Sequence, residues 1–469
     1  MKFLQSLKQA LVLLGRTDMF DTNYLFASKR FNVSIYPSSF YCGRQGVVRR
    51  LLAYARHCLT HTVKLFTGRR KPLPPGQVLF YASSLNQVKS VYPLLQRMNG
   101  IHGIGHFIGD AERIPVALSY YLGVLFSPFV FARYLRANSY QKDSFGYCID
   151  TYLLFPGYFV AAYCWLKLKK PRALVLTNDH SMRPRALRLI ANAQGVPVFY
   201  LQHATVMERF PALEFDYAFL DGRAALLAYD EAGPSKTRVF LIGISMADKY
   251  VEKVNPRPTV VTVGVCVGSM EPVERVRELC GAMVKRFPGM KIVLRPHPAE
   301  AHGRLMAWRK LVSDFGFEMS NASEEVSFDY LLRCDVVIAS DSGILLESAL
   351  VNTTPLYYDF PELKLDFYGF QRFGLARYHS RVESICDEIG DLVRFRPDCR
   401  HLAGPYCASL GTRYHGRSSE VASMILAQFV ETGQVNLRGW KKVTGLKNLE
   451  AYEFDETIDL LAAPLSTSV

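Results

Sequence analysis

Nine short apolar runs, most of them separated by segments of helical length, constrain this chain more than any other feature. They fall at 77–81 (QVLFY), 173–177 (ALVLT), 195–201 (GVPVFYL), 216–220 (DYAFL), 239–243 (VFLIG), 259–267 (TVVTVGVCV), 291–294 (KIVL), 335–339 (DVVIA) and 354–359 (TPLYYD). An alternating run would leave one face to water. These runs are apolar at nearly every position, as strands covered on both faces are. Such strands alternating with helices form a parallel sheet with helices on both sides. The pattern restarts near 251–257, where Pro256 and Pro258 mark a linker. A chain of 469 residues exceeds what one core holds, so two such units are expected. The expected division is a basic amphipathic segment (1–76), a first Rossmann-like domain (77–255), a second (256–432) and a peripheral polar tail (433–469). Residues 418–432 read as a helix that packs back across the linker.

The richest chemistry lies at 291–360. The run KIVLRPHP (291–298) takes a strand straight into Arg295 and His297, and its prolines stop the strand there. About forty residues on, DVVIASDSGILLESAL (335–350) reads as strand, polar turn and helix. Ser340, Asp341, Ser342 and Gly343 form the turn. One such residue suffices to cap a helix, and here there are three and a glycine. Free N–H groups at the helix start, with the serine hydroxyls, make an anion site. Arg295 offers a fixed fork to phosphate, and Glu347, one helical turn on, suits ribose hydroxyls. Gly268 and Ser269 end the strand before a further helix and belong to the same expected nucleotide seat. Carboxyl ends of parallel strands are where open α/β sheets bind ligands.

In the first domain, Asp179 and His203 end successive strands and share one edge of the expected cleft. Either could take a proton from an acceptor hydroxyl. Asp179 also fits a plain helix cap. Glu208 is a weaker candidate. A hydrolase elbow, a P-loop and the dinucleotide glycine fingerprint do not occur, and no carboxylate cluster calls for a metal. The ten cysteines show no zinc spacing and read as free thiols.

The formal net charge of +14 directs the chain to phosphates or anionic lipid. No nucleic-acid-binding signature accompanies that charge. Residues 1–16 read as an amphipathic helix, and arginine knots occur at Arg44/Arg49/Arg50 and Arg69/Arg70/Lys71 before a Pro-rich linker at 71–75. The uncharged run 114–132 and the shorter run 151–165 are expected to be buried helices, or a surface entering one leaflet, rather than spans.

At these residues the chain resembles the GT-B superfamily of nucleotide-sugar enzymes. The stretch Asp341–Gly343 with Glu347, Ala349, Thr354 and Pro355 resembles the uridine-diphosphate site of UDP-N-acetylglucosamine 2-epimerases, where the turn holds phosphates and the glutamate ribose. LRPHP (294–298) resembles the His-Pro motif of bacterial sialyltransferases, capsule Kdo transferases and CDP-glycerol glycerophosphotransferases. GVPVFYLQH (195–203) resembles a stretch of surface-polysaccharide transferases, with Ala204 where glycine is usual. The catalytic runs of the epimerases are missing: GSMEP stands at 268–272 and QHATV at 202–206.

The resemblance implies an α/β, GT-B-like architecture: two Rossmann-like domains facing a cleft, with an N-terminal helical, membrane-associating extension. It implies a metal-independent glycosyltransferase with no cofactor, moving sugar from a nucleotide-sugar donor to a cell-surface polysaccharide or glycolipid. Its expected place is the cytoplasm, peripherally on the anionic inner face of the cell membrane. A polyol-phosphate transferase, a UDP-sugar 2-epimerase and a non-catalytic assembly scaffold are the alternatives.

Overall fold

The computed structural model describes residues 2–31, 46–67, 78–98, 106–108, 114–298 and 300–461. The knot Arg69/Arg70/Lys71, Arg44 and the linker at 71–75 lie outside them. Six strands open the first sheet: β1 Val78–Tyr81, β2 His106–Ile108, β3 Ala173–Leu176, β4 Val198–Leu201, β5 Tyr217–Leu220 and β6 Arg238–Leu241. The second holds β7 Thr262–Val267, β8 Lys291–Pro296, β9 Glu318–Met319, β10 Val336–Ala339, β11 Thr354–Tyr358 and β12 Arg377–His379. Two late strands, β13 Trp440–Lys442 and β14 Glu450–Phe454, return to the first sheet. The spatial orders are β13-β14-β6-β5-β4-β3-β1-β2 and β12-β11-β10-β7-β8-β9. Every pairing is parallel except β13 with β14.

Strand order fixes where each sheet binds ligands. In the second sheet the chain runs outward through β7, β8 and β9, then returns to β10 on the other side of β7. That is the doubly wound order, with its topological switch point between β7 and β10. In the first sheet the reversal falls between β1 and β3. A crevice opens at the carboxyl ends of the strands at each such point.

Alternate residues of a strand face opposite sides. Leu79, Tyr81, Leu174 and Leu176 share one core with Phe155, Tyr158 and Phe159 of the long helix Ser139–Lys169. Val78, Phe80, Val175 and Phe199 share the other with Ile425 and Phe429 of the helix Ser418–Thr432. That helix therefore packs across the linker onto the first sheet, with Phe429 edge-on to Phe199 at 5.0 Å between centroids. Residues 433–461 are not a peripheral tail. β14 pairs in parallel with β6, and Phe240 packs between Trp440 and Tyr452.

Two carboxylates, Asp335 buried and Asp248 half-buried, lock the crossing. Asp335 accepts the N–H groups of Val261 and Thr262, each at 2.8 Å, and pairs with Arg257 at 2.6 Å. Asp248 accepts from the N–H groups of Ser418 and Ser419 at 2.9 and 2.7 Å, capping the returning helix. Replacing Asp248 with alanine orphans those donors and is expected to cost about 1–2 kcal/mol in urea unfolding, the usual loss for a cap.

The N-terminal segment carries the helices Lys2–Arg16 and Val47–Thr67, and three further helices are inserted between β2 and β3. Of the two apolar runs, 151–165 lies inside Ser139–Lys169 and is largely buried. The run 114–132 forms two helices, Val116–Leu125 and Ser127–Arg136, bent by 61°. Among the described residues no single helix is long and apolar enough to cross a membrane. Val116–Leu125 meets the long helix through glycine: a Cβ on Gly157 would lie 2.0 Å from the Ser119 carbonyl oxygen.

Candidate functional site

Three loops of the second domain leave neighbouring strands at the switch point. Gly268 and Ser269 follow β7, His297 follows β8, and Ser340–Gly343 follow β10. The His297 N–H donates to the Val267 carbonyl at 2.7 Å. This brings the His297 backbone against Gly268, where an added Cβ would lie 3.5 Å from that of His297. The Gly268 N–H donates to Glu271 Oε2 at 2.6 Å. His297 stands at the surface of this edge, and partial desolvation lowers its pKa.

The turn after β10 carries unspent polar groups. Ser340 is 6% exposed, and its Oγ has no partner among the described residues. Asp341 Oδ2 accepts the Phe367 N–H at 2.6 Å, while Oδ1 is buried without a partner. Burial pushes the Asp341 carboxyl up to about 7. The N–H groups of Leu345, Leu346 and Glu347 are the first to bond back, to Ser342 and Gly343, so the preceding amides stand ahead of the ladder. The helix they open is short, Ile344–Leu350. Glu347 Oε2 is also buried, with no partner among the described residues. Burial raises its pKa, against Ser327, Lys89 and Arg295, which pull it down. Lys89 belongs to the first domain, so Glu347 faces the cleft. Buried polar atoms without partners are rare in a finished fold, and gathered at a switch point they mark a ligand seat.

Arg295 is used differently from the expected phosphate fork. It is buried, Nη1 donates to Ser320 Oγ at 2.5 Å, and Nη2 donates to the Glu325 carbonyl at 2.9 Å. Its guanidinium lies 5.0 Å from the Tyr330 ring centroid. These contacts hold β8 to the 320–330 segment and leave the guanidinium engaged in packing. Its closeness to Glu347 is electrostatic only.

In the first domain β3 and β4 end side by side, as the sequence suggested. Asp179 is 2% exposed, and both its carboxylate oxygens are engaged, with His180 Nδ1 at 2.8 Å and the Tyr229 hydroxyl at 2.5 Å. Its carboxylate is thus shared between His180 and Tyr229. His203 Nδ1 is buried and has no partner among the described residues. Burial, then the neighbouring His180, lowers the His203 pKa to about 4, so the imidazole is neutral at pH 7. Two groups escaped the sequence reading. His180 sits directly after Asp179 in the turn NDHS (178–181), a signal that was available. Asp221 ends β5 beside β4, and desolvation holds its carboxyl well above the usual range.

The two domains meet at these edges. Thr205 Oγ1 lies 3.8 Å from where a Gly343 Cβ would sit. Glu208, the weaker candidate, pairs with Arg372, and Arg209 lies 5.4 Å from the Phe367 ring centroid. Phe367 is the residue whose N–H holds Asp341. The loop after His203 thus seats against the phosphate-type turn.

No protein-family model matches the sequence, and comparison with curated proteins finds no match. Solved structures do match. The S. aureus MnaA–UDP co-structure superposes with a TM-score of 0.50 at 12% identity, over 77% of this chain and 99% of that one. The chain has the GT-B fold. The UDP-N-acetylglucosamine 2-epimerase of Rickettsia bellii gives 0.48 at 13% identity, over 76% and 97%. The wall teichoic acid polymerase TagF gives 0.46 at 10% identity, over 82% and 98%. At such identities the likeness speaks for the fold alone.

Proposed function

We propose that this GT-B chain is a glycosyltransferase that moves a sugar from a nucleotide donor to a polysaccharide or glycolipid at a membrane surface. One observation carries the reading. Ser340 Oγ, Asp341 Oδ1 and Glu347 Oε2, without partners among the described residues, gather at the second sheet's switch point, on the turn whose Gly343 lies against Thr205 of the loop after His203. Ser340, Ser342, the amides leading into Ile344 and His297 are assigned to the donor phosphates. These groups meet charge where it develops as the nucleotide leaves. Asp341, held near neutrality by burial, repels phosphate less than an ordinary aspartate would. Glu347 Oε2 is free to accept from a ribose hydroxyl.

The step balances on this chain's own groups. The acceptor oxygen bonds to the anomeric carbon and the carbon–oxygen bond to the nucleotide phosphate breaks. The acceptor's proton passes to neutral His203. Asp179, through His180, positions that edge. Attachment to an anionic membrane at the cytoplasmic face fits the net charge of +14.

The test is nucleotide release. Purified chain is incubated with a panel of UDP-, CDP- and CMP-sugars, with and without a detergent extract of bacterial membranes. The reading expects one donor to release nucleotide faster with the extract, and sugar to appear in the lipid or polymer fraction. Conversion of a UDP-sugar to its 2-epimer without acceptor would replace this reading with the epimerase one.

A further inference from the structure

We propose that a cavity at the first sheet's switch point is an acceptor subsite that takes the sugar head of a membrane-borne glycolipid. The proposal rests on the transferase reading and names the substrate class that it leaves open.

Position comes first. The cavity, about 250 Å³, lies where β1 and β3 part. Tyr81 and Ser83 line it from the end of β1, Ser181 from the turn after β3, and Arg183 from the first turn of the helix Met182–Ala193. The second sheet's switch point carries the proposed donor seat; this cavity occupies the corresponding place in the first sheet. None of the residues assigned to the donor lines it. The wall segment around Asn23–Phe26 is tied to the catalytic edge, because the Leu25 N–H donates to the His180 carbonyl at 3.1 Å.

The lining is mixed in the way a sugar site requires. Tyr54, Tyr120 and Phe26 supply ring surface. Asn23, Asp150 and His57 supply hydrogen-bonding groups among those rings. Apolar walls with a few fixed polar groups are the usual build of a small-molecule site. Asp150 is itself steadied by Arg50 at 3.1 Å. A carboxylate so placed accepts from hydroxyls.

The roof supplies the second half of the ligand. The helix Val47–Thr67 gives Tyr54 and His57 to the cavity, yet leaves Leu52 and Leu59 67% and 68% exposed. Val116–Leu125 gives Tyr120 to the cavity and leaves Leu125 70% exposed. Together with Lys2–Arg16 and Ser127–Arg136, these helices carry nine lysines and arginines and no aspartate or glutamate. Exposed leucine and valine with only positive charge match a bilayer with anionic headgroups. The same two helices thus bound a sugar-type cavity and present a lipid-type surface. A soluble sugar uses only the first; a glycolipid uses both.

The probes are dodecyl glucoside, galactoside and N-acetylglucosaminide, with dodecyl tetraethylene glycol as the uncharged, sugar-free control. Each is titrated calorimetrically, below micelle formation, into the full chain, Asp150→Asn and Ser83→Trp. Ser83 is an exposed loop residue, so its variant fills the cavity mouth without touching the core. The expected result is that one glycoside binds at least 10-fold tighter than the control and that both variants lose this margin. UDP, CDP and CMP binding stays as in the wild type. A panel that binds no better than the control overturns the subsite, and so does a margin that survives both variants. Nucleotide binding without a glycoside margin sinks the subsite alone. A margin without nucleotide binding sinks the transferase reading and the acceptor role with it, and leaves a cavity that binds glycosides.

Discussion

Substituting His203 with alanine lowers kcat by about 10²–10⁴-fold, the range for loss of a general base, and leaves nucleotide affinity within a factor of a few. The imidazole is neutral at pH 7 because burial and His180 disfavour its cation. Its free pKa of about 4 sets the acid limb of kcat/KM, where the free protein is titrated. A limb near 6.5 would mean that a solvated histidine does the work. Bound donor phosphate brings negative charge, which favours the cation, so the acid limb of kcat moves to higher pH. Asp179→Asn provides the contrast. It disturbs the Asp179–His180 pair and lowers kcat, with His203's own limb still present.

The second large effect is on stability. Gly157→Ala is expected to cost about 3 kcal/mol, the upper end for overpacking a close contact. The added Cβ would meet the Ser119 carbonyl oxygen at 2.0 Å and the Gly123 amide nitrogen at 2.5 Å. Both are backbone atoms and cannot rotate away, so Val116–Leu125 must shift as a body. Gly146 lies on the same long helix with nothing within 4 Å of its would-be Cβ. Gly146→Ala therefore stabilises by about 0.5–1 kcal/mol, through lost unfolded-state entropy. Urea midpoints of the two variants should move in opposite directions. A fall for both would mean that the tight helix crossing is not the cause.

The parallel sheets were legible because their strands are apolar on both faces, and 335–350 shows strand, turn and helix in plain order. The strand ends were legible too: Gly268, His297 and Ser340 lie where their runs of apolar sequence stop. The partners of Arg295 were not legible because the Ser320 and Glu325 groups that engage it lie 25 and 30 residues on in sequence. Only the fold brings them together. Residues 433–461 were missed for a related reason. EAYEF at 450–454 is a short alternating strand whose partner, β6, lies about two hundred residues earlier. His180 follows Asp179 in NDHS, but its pairing with the Asp179 carboxylate is set by the folded turn.

The central claim is that residues 268–347 seat a nucleotide. Isothermal titration of UDP, CDP and CMP into the wild type, Ser340→Ala and His297→Ala tests it most directly. The account predicts that one nucleotide binds the wild type and that each variant weakens it about tenfold, a loss of roughly 1.4 kcal/mol per phosphate contact. No binding to the wild type, or equal binding to all three proteins, would contradict it.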